Sequence, residues 1–404
     1  MFTTSEKGRP VIIVGGGLAG LTTALALHRA GVRCFVFEQQ EELTAVEPSA
    51  AVSLWSNASA ILDRLGAGTK ARMHGMPTLE LQIYDVKNRT LLKKWNLLKE
   101  HLSYNGTEIV PVPRDILRQI LSELLPPDTV FFGAKFQSYL DRGSYVQVRF
   151  DKYGEFEGSF LIGCDGVFSK VRKTMGINLE PKYAGYTTWR SIVNFSDTKH
   201  FPFFTGKELW GAGSRFGTLV VNPDRIYWYA IANAAPGQIF LRPFRPQLLQ
   251  RFQGWPFLCE DLIRNSNEFD IRRYDVYNWP TLGNWTRGRA TLVGDAAHPV
   301  TPNMHQGTCM SIEDAAYLAQ MVSKYGLEDN RALEVYSAVR SRHAQSIVLA
   351  SRVVGQWGSW QHPAALGARN LLLTYPFIYW IWHKLLKRSN VDFKFPFTLP
   401  FTSL

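Results

Sequence analysis

The stretch from Val11 to Glu38 constrains the fold more than any other part of this 404-residue chain. Val11-Ile12-Ile13-Val14 is a short β-branched run, the composition of a strand buried on both faces. It enters Gly15-Gly16-Gly17-Leu18-Ala19-Gly20, which fits Gly-x-Gly-x-x-Gly. A helical pattern follows through Ala30, with Gly31 placed for its C-cap. Val32 to Phe37 reads as a second strand, and Glu38 closes it. Each part has a physical task. Gly15 permits a tight turn, Gly17 lets the backbone approach a pyrophosphate, and Gly20 lets helix and strand pack closely. The helix start at Leu18 and Ala19 offers free N–H groups and the positive end of a dipole to phosphate. Glu38 can accept hydrogen bonds from ribose hydroxyls. With strand, helix and terminal acid all present, the run reads as a Rossmann-like dinucleotide-binding unit rather than a glycine-rich turn of another α/β protein. It does not by itself separate NAD from FAD.

Composition narrows the class. Hydrophobic residues make up 46% of the chain and charged residues 20%, which excludes wholesale disorder, and the sequence shows no repeat and no long biased tract. The formal charge of +11 raises nucleic acid, a membrane surface or an anionic cofactor as partners. No long Lys/Arg run is present, so no nucleic-acid footprint is evident. Cys34, Cys164, Cys259 and Cys309 form no Cys-x-x-Cys pair and are too sparse for a disulfide framework. A reduced, cytoplasmic setting is expected, and the polar start before Val11 leaves no room for a cleavable signal. No His/Cys or carboxylate pattern argues for a metal.

Two later segments resolve the cofactor. Phe160-Leu161-Ile162-Gly163-Cys164-Asp165-Gly166 is a strand ending in an Asp-Gly turn, with a helix start near Ser169 and Arg172. Ala290-Thr291-Leu292-Val293-Gly294-Asp295 is another strand ending in glycine and acid, followed by a loop through Pro302 to Gly307 and a helix from about Thr308. Taken in order with Gly15–Gly20, these motifs resemble the single-component FAD-dependent aromatic-hydroxylase-type monooxygenases. The nearest flavour is the urate hydroxylase, zeaxanthin epoxidase and salicylate hydroxylase-like branch. Arg114-Asp115-Ile116-Leu117 is similar to the family's Arg-x-x-Leu helix, and Gly185-Tyr186-Thr187-Thr188-Trp189-Arg190 to its Gly-Tyr-x-x-Trp-Arg strand.

The resemblance implies an α/β fold. A Rossmann-like FAD-binding domain of the GR2-type flavoprotein hydroxylases would be discontinuous over 1–75, 105–180 and 281–345. An inserted antiparallel-sheet substrate domain would occupy 76–104 and 181–280, with a C-terminal helical region over 346–404. It implies FAD as cofactor, NADPH or NADH as co-substrate, and O2 as oxidant. Reaction would proceed through a flavin C4a-hydroperoxide that hydroxylates or epoxidises an electron-rich aromatic, indolic or isoprenoid small molecule. Asp295 would hold the flavin ribityl chain, or alternatively cap a helix. Arg114 would meet the diphosphate. Arg118, one turn on, reads equally as a second phosphate contact or a surface charge. Asp165 would order backbone near the pyrophosphate, or serve as a plain turn residue.

The family's Pro-Asn-x-Gly-Gln-Gly loop appears here as Pro302-Asn303-Met304-His305-Gln306-Gly307, so His305 replaces a glycine. A side chain there restricts positive φ and brings an imidazole to the flavin. It could tune oxygen reactivity, touch substrate, or simply be tolerated. The helix start at Gly307 and Thr308 would stabilise negative charge on the reduced ring. Arg190 is the other catalytic candidate, with a structural ion pair to an acid such as Asp295 as its alternative. His298 reads as structural.

Residues 181–280 are rich in aromatics, and Trp210, Phe216 and Tyr229 are the candidates for lining a substrate pocket. The tail run 371–388 is too short to span a bilayer, but its apolar, aromatic and basic character suits peripheral membrane contact or packing on the body. Monomer and homodimer both stay open. The rival readings are a flavoenzyme of other chemistry (halogenase, reductase or cyclase) and a redox-controlled membrane- or partner-binding flavoprotein. The halogenase Trp-x-Trp-x-Ile-Pro signature is absent.

Overall fold

The computed structural model describes residues 8–42, 50–97, 109–195 and 202–375. The first strand, Val11–Val14, is buried at all four positions. It pairs in parallel with Cys34–Phe37 on one side and Leu161–Gly163 on the other. These strands belong to a six-stranded sheet with Thr286–Arg287 and Val130–Phe131 at its edges. Ala290–Leu292 joins it in parallel beside Leu161–Gly163. All three sequence motifs therefore leave the same end of one parallel sheet, the usual place for a ligand in such folds.

The helix Leu18–Arg29 packs between this sheet and the helix Gly307–Tyr325. Two glycines make that approach. A Cβ at Gly20 would stand 1.8 Å from the Gly15 carbonyl oxygen, and one at Gly15 (φ +105°) would stand 2.5 Å from the Cys164 carbonyl oxygen. Gly20 thus serves packing and does not line the cavity described below.

A seven-stranded sheet forms the second layer, built from 80–96 and 182–278. Its strands are antiparallel except where Thr205–Trp210 runs parallel to Glu80–Asp85. One face carries Trp189, Phe216, Trp228 and Ala230 into an apolar core with the helices Phe244–Arg251 and Cys259–Asn265. The opposite face carries Arg190, Arg215, Tyr227 and Tyr229 toward the six-stranded domain. Strand alternation therefore corrects one expectation. Phe216 is fully buried, stacks on Trp228 at 5.4 Å, and belongs to the core rather than to a substrate pocket.

The C-terminal helices tie the layers together. Arg331–Gly358 is one continuous 28-residue helix, so a boundary at 345/346 falls inside it. A short loop then leads to the helix Pro363–Thr374. Residues 376–388 of the tail segment lie outside the described residues. Among the described residues no helix is long and apolar enough to cross a membrane, and all four cysteines are buried and free.

A buried ionic cluster joins the helices Gly307–Tyr325 and Arg331–Gly358. Arg340 donates Nε to Asp314 Oδ1 and Nη2 to Glu313 Oε2, both at 2.7 Å, with all three side chains fully buried. Asp314 Oδ2 also accepts the Gly294 N–H at 3.1 Å and meets His298 Nε2. His298 is thereby structural. Burial alone would raise the Asp314 carboxyl, yet His298 and Arg340 outweigh it and hold it down to about 2. Removing one member of such a cluster strands a buried charge. Asp314→Asn is expected to cost about 3–5 kcal/mol of stability, read as a lower urea midpoint with unchanged slope.

Candidate active site

A cavity of about 770 Å³ lies between the three motifs and the seven-stranded sheet. Gly15, Gly17, Leu18, Ala19, Glu38, Arg114, Asp165, Asp295, Pro302, Gly307 and Thr308 all border it, as do Arg190, Tyr229 and His305. At one end the helix Leu18–Arg29 begins at Gly17 with no side-chain cap and no acid in its first turn. A Cβ at Gly17 would meet no protein atom within 4 Å. The space that glycine keeps clear is cavity, and the unsatisfied N–H groups and dipole aimed there suit phosphate.

Glu38 is fixed before any ligand arrives. Its Oε2 accepts the Gly16 N–H at 2.6 Å and its Oε1 accepts the Gln40 N–H at 2.8 Å. Arg118 is buried behind it, donating Nε to the Gly16 carbonyl at 2.8 Å with Nη2 3.8 Å from Glu38. The structure thus removes the surface-charge reading of Arg118. It clamps the glycine loop to the end of the second strand and also borders the cavity. Arg114 opens the helix Arg114–Glu123 at the cavity wall.

Asp165 orders backbone. It accepts the N–H groups of Lys170 (2.7 Å) and Val171 (2.9 Å) and the hydroxyl of Ser169. Arg172 is buried and donates to the carbonyls of Ala296 and Val167, each at 2.8 Å, which staples the Asp-Gly turn to the Gly-Asp loop. Asp295, on that loop, is exposed to the cavity.

The 302–307 loop is held at both ends. Asn303 donates Nδ2 to Tyr186 Oη, Thr301 Oγ1 and the Ser351 carbonyl at 2.9–3.0 Å. Gln306 accepts from Asn57 at 3.2 Å, and Asn57 also donates to Glu313 at 2.7 Å. Gln306 is therefore a buried anchor of the loop and does not border the cavity. Between them His305 occupies the left-handed region, φ +53°, ψ +27°, the conformation its glycine counterpart adopts freely. Histidine is among the side chains that tolerate it. The imidazole packs against Tyr229 at 5.2 Å. Burial, helped by the Arg215 charge, lowers its pKa to about 4, so it is neutral near pH 7. The helix Gly307–Tyr325 then starts with no side-chain cap and no acid in its first turn.

Arg190, on the strand Lys182–Asn194, borders the cavity. Its guanidinium lies 4.6 Å from the Tyr274 ring centre and hydrogen-bonds to the Tyr227 hydroxyl, which faces the cavity.

A second cavity of about 280 Å³ adjoins the first. Ser53, Glu208, Tyr229, Asn303 and His305 border both. Trp210 lines this second space, as do Trp55, Trp95 and Trp357. Sequence reasoning did not single out Glu208 or Arg215. The available signal was a charge set in an otherwise apolar strand, as at Arg215 before Phe216-Gly217-Thr218-Leu219.

Comparison with known proteins agrees with this geometry. The family model described as "FAD binding domain" matches residues 9–351. The aurachin C monooxygenase/isomerase of Stigmatella aurantiaca is 33% identical over 99% of this chain and 100% of its own length. The FAD-dependent urate hydroxylase of Klebsiella oxytoca is 29% identical over 84% of this chain and 88% of its own. Among solved structures, Klebsiella pneumoniae HpxO complexed with FAD and uric acid superposes with a TM-score of 0.86 at 25% identity, covering 94% of this chain and 96% of that one. The fold and the site together define a flavoprotein. The chain belongs to the FAD-dependent hydroxylase-type monooxygenase family, and its enzyme class is oxidoreductase.

Two outcomes follow for the cofactor site. Gly17→Ala adds a methyl to open cavity; the poorer helix cap is largely offset by the stiffer unfolded chain, so the apoprotein melts within about 3 °C of wild type while FAD affinity falls at least about tenfold, about 1.4 kcal/mol. Flavin retention on a desalting column and apoprotein melting separate the two. For His305, the unfolded chain binds a proton near pH 6.5 that the folded chain refuses until about pH 4. The stability tied to the neutral ring is present above pH 6.5 and lost as pH falls toward 4. Wild type should therefore lose stability over that interval more steeply than His305→Asn, measured by urea unfolding at each pH.

Proposed function

We propose that the protein takes electrons from NADH or NADPH and transfers one atom of O2 to an electron-rich ring or double bond of an apolar small molecule, by hydroxylation or epoxidation. The observation that carries this reading is the junction of two cavities. A phosphate-suited, FAD-sized space opens into an apolar one, with His305, Tyr229 and Glu208 at the border. Bound FAD supplies the two-electron activation of O2, whose second atom leaves as water.

The chain's own residues supply position and field. Gly15, Gly17 and the uncapped start of Leu18–Arg29 receive the pyrophosphate, with Arg114 beside it. Glu38 and Asp295 face the ribose and ribityl hydroxyls as acceptors. The start of Gly307–Tyr325 stabilises the negative charge of the reduced ring without a dedicated acid or base. His305, neutral at working pH, acts through hydrogen bonding and bulk. Arg190 presents a fixed cation that polarises a substrate oxygen or binds an anionic one. The apolar walls exclude water from the oxygen transfer.

The test is NADPH and NADH oxidation in air by the flavin-loaded protein, against phenols, indoles, purines and isoprenoids. At least one apolar ring or alkene compound should stimulate oxidation and gain one oxygen atom by mass. Failure of every compound to do either would contradict the reading. Arg190→Leu should keep its flavin and lose about 10²-fold in kcat.

A further inference from the structure

The apolar cavity contains one feature that the oxygen-transfer reading leaves unused. Its walls come from Trp55, Leu81, Trp95, Ile109, Trp357 and Leu373, together with the sheet face. Into this wall the strand Thr205–Trp210 brings Glu208, the only carboxylate among the described residues lining it. Its side chain is 13% exposed. Lys207, the neighbouring charge, is occupied elsewhere, with its ammonium 4.3 Å from the Phe257 ring centre.

Burial raises the Glu208 carboxyl, and the Arg215 charge with its hydrogen-bonding neighbours opposes that rise. Arg215 Nη1 is 3.3 Å from Oε1, and the Trp210 side chain and the Tyr229 hydroxyl also contact the carboxylate. Arg215 is itself fixed by Asn303 and by the Trp210 ring at 5.2 Å. Two oxygens offer about four acceptor positions. One long guanidinium contact, one indole and one hydroxyl still leave an acceptor position unmet, and a buried carboxylate in an apolar wall is costly unless that capacity is filled. Glu208 borders both the flavin cavity and the apolar cavity, so it stands at the seam between them.

We propose that Glu208 is the specificity-determining residue of the substrate site, accepting a hydrogen bond from an O–H or ring N–H on the substrate's reacting ring while the substrate's apolar arm fills the 280 Å³ cavity. The substrate class is therefore an amphiphile, a hydrogen-bond-donating ring that carries a hydrocarbon chain. This deepens the oxygenase reading and rests on it. The same placement puts the ring at the His305 and Tyr229 border, where the flavin cavity begins. A ring lacking the donor leaves the carboxylate unpaired and is rejected on that account, which is a stronger filter than apolar contact alone.

Binding is the measurement, read from perturbation of the flavin absorbance without turnover. The probes are 4-nonylphenol, its methyl ether and phenol. Wild type should bind 4-nonylphenol at least about tenfold tighter than either comparator, the methyl ether lacking the donor and phenol lacking the arm. Glu208→Gln should shrink the preference for hydroxyl over ether to about twofold or less and keep the preference for the arm. Ala350→Trp, which fills the cavity from the helix Arg331–Gly358, should do the reverse. Should Glu208→Gln lose its flavin, Glu208→Asp takes its place, with a weakened hydroxyl preference expected. A wild type without hydroxyl preference, or a Glu208 variant that keeps it in full, overturns the proposal. The expected binding pattern with no oxygenated product would overturn only the oxygenase reading.

Discussion

The buried carboxylate of Asp314 is the constraint on which the active-site geometry depends. One side chain receives the Gly294 N–H, His298 and Arg340, so a strand-end turn, a loop and two helices meet at one charge. Its neighbour Glu313 shares Arg340 and receives Asn57, which in turn holds Gln306. The start of Gly307–Tyr325 is thereby fixed relative to the Gly294-Asp295 turn and to the loop that precedes the helix. An uncapped helix start has catalytic value only if it stays aimed at one place, because its field fades within the first turn. The ionic cluster supplies that aim at a cost in desolvation that good geometry offsets.

The second layer works through the two-residue period of its strands. Trp189, Phe216 and Trp228 face the helices behind the sheet, while Arg190, Arg215, Tyr227 and Tyr229 face the cavity from alternate positions. Stability and chemistry are thus assigned to opposite faces of the same strands. The cavity face carries charge inside an apolar setting, and each charge found there has a specific neighbour. Arg190 lies over Tyr274, and Arg215 sits with Glu208, Asn303 and Trp210.

How much of this was legible in the sequence follows from the range of each interaction. The cofactor end was readable, because Gly15, Gly17, Gly20 and Glu38 act through local backbone geometry at fixed spacing. The positive φ at position 305 was readable for the same reason, as a departure from a glycine pattern. Face assignment in the aromatic strands was not. Phe216 and Tyr229 look alike as sequence, and only the register against Ala230 and Gly217 separates core from cavity. Arg118 read equally as a second phosphate contact or a surface charge one turn beyond Arg114, yet it donates to a carbonyl about a hundred positions away. Glu208 was silent because its meaning comes from two cavities that exist only after both sheets have packed.

The account's central claim is that this site moves one atom of O2 into an apolar molecule held beside a bound flavin. Turnover under isotopically heavy O2 tests it most directly. The account predicts one heavy oxygen atom in the organic product, with nicotinamide oxidised in equal amount. A product that draws its new oxygen from solvent water, or nicotinamide oxidation that ends wholly in hydrogen peroxide whatever compound is supplied, would contradict it.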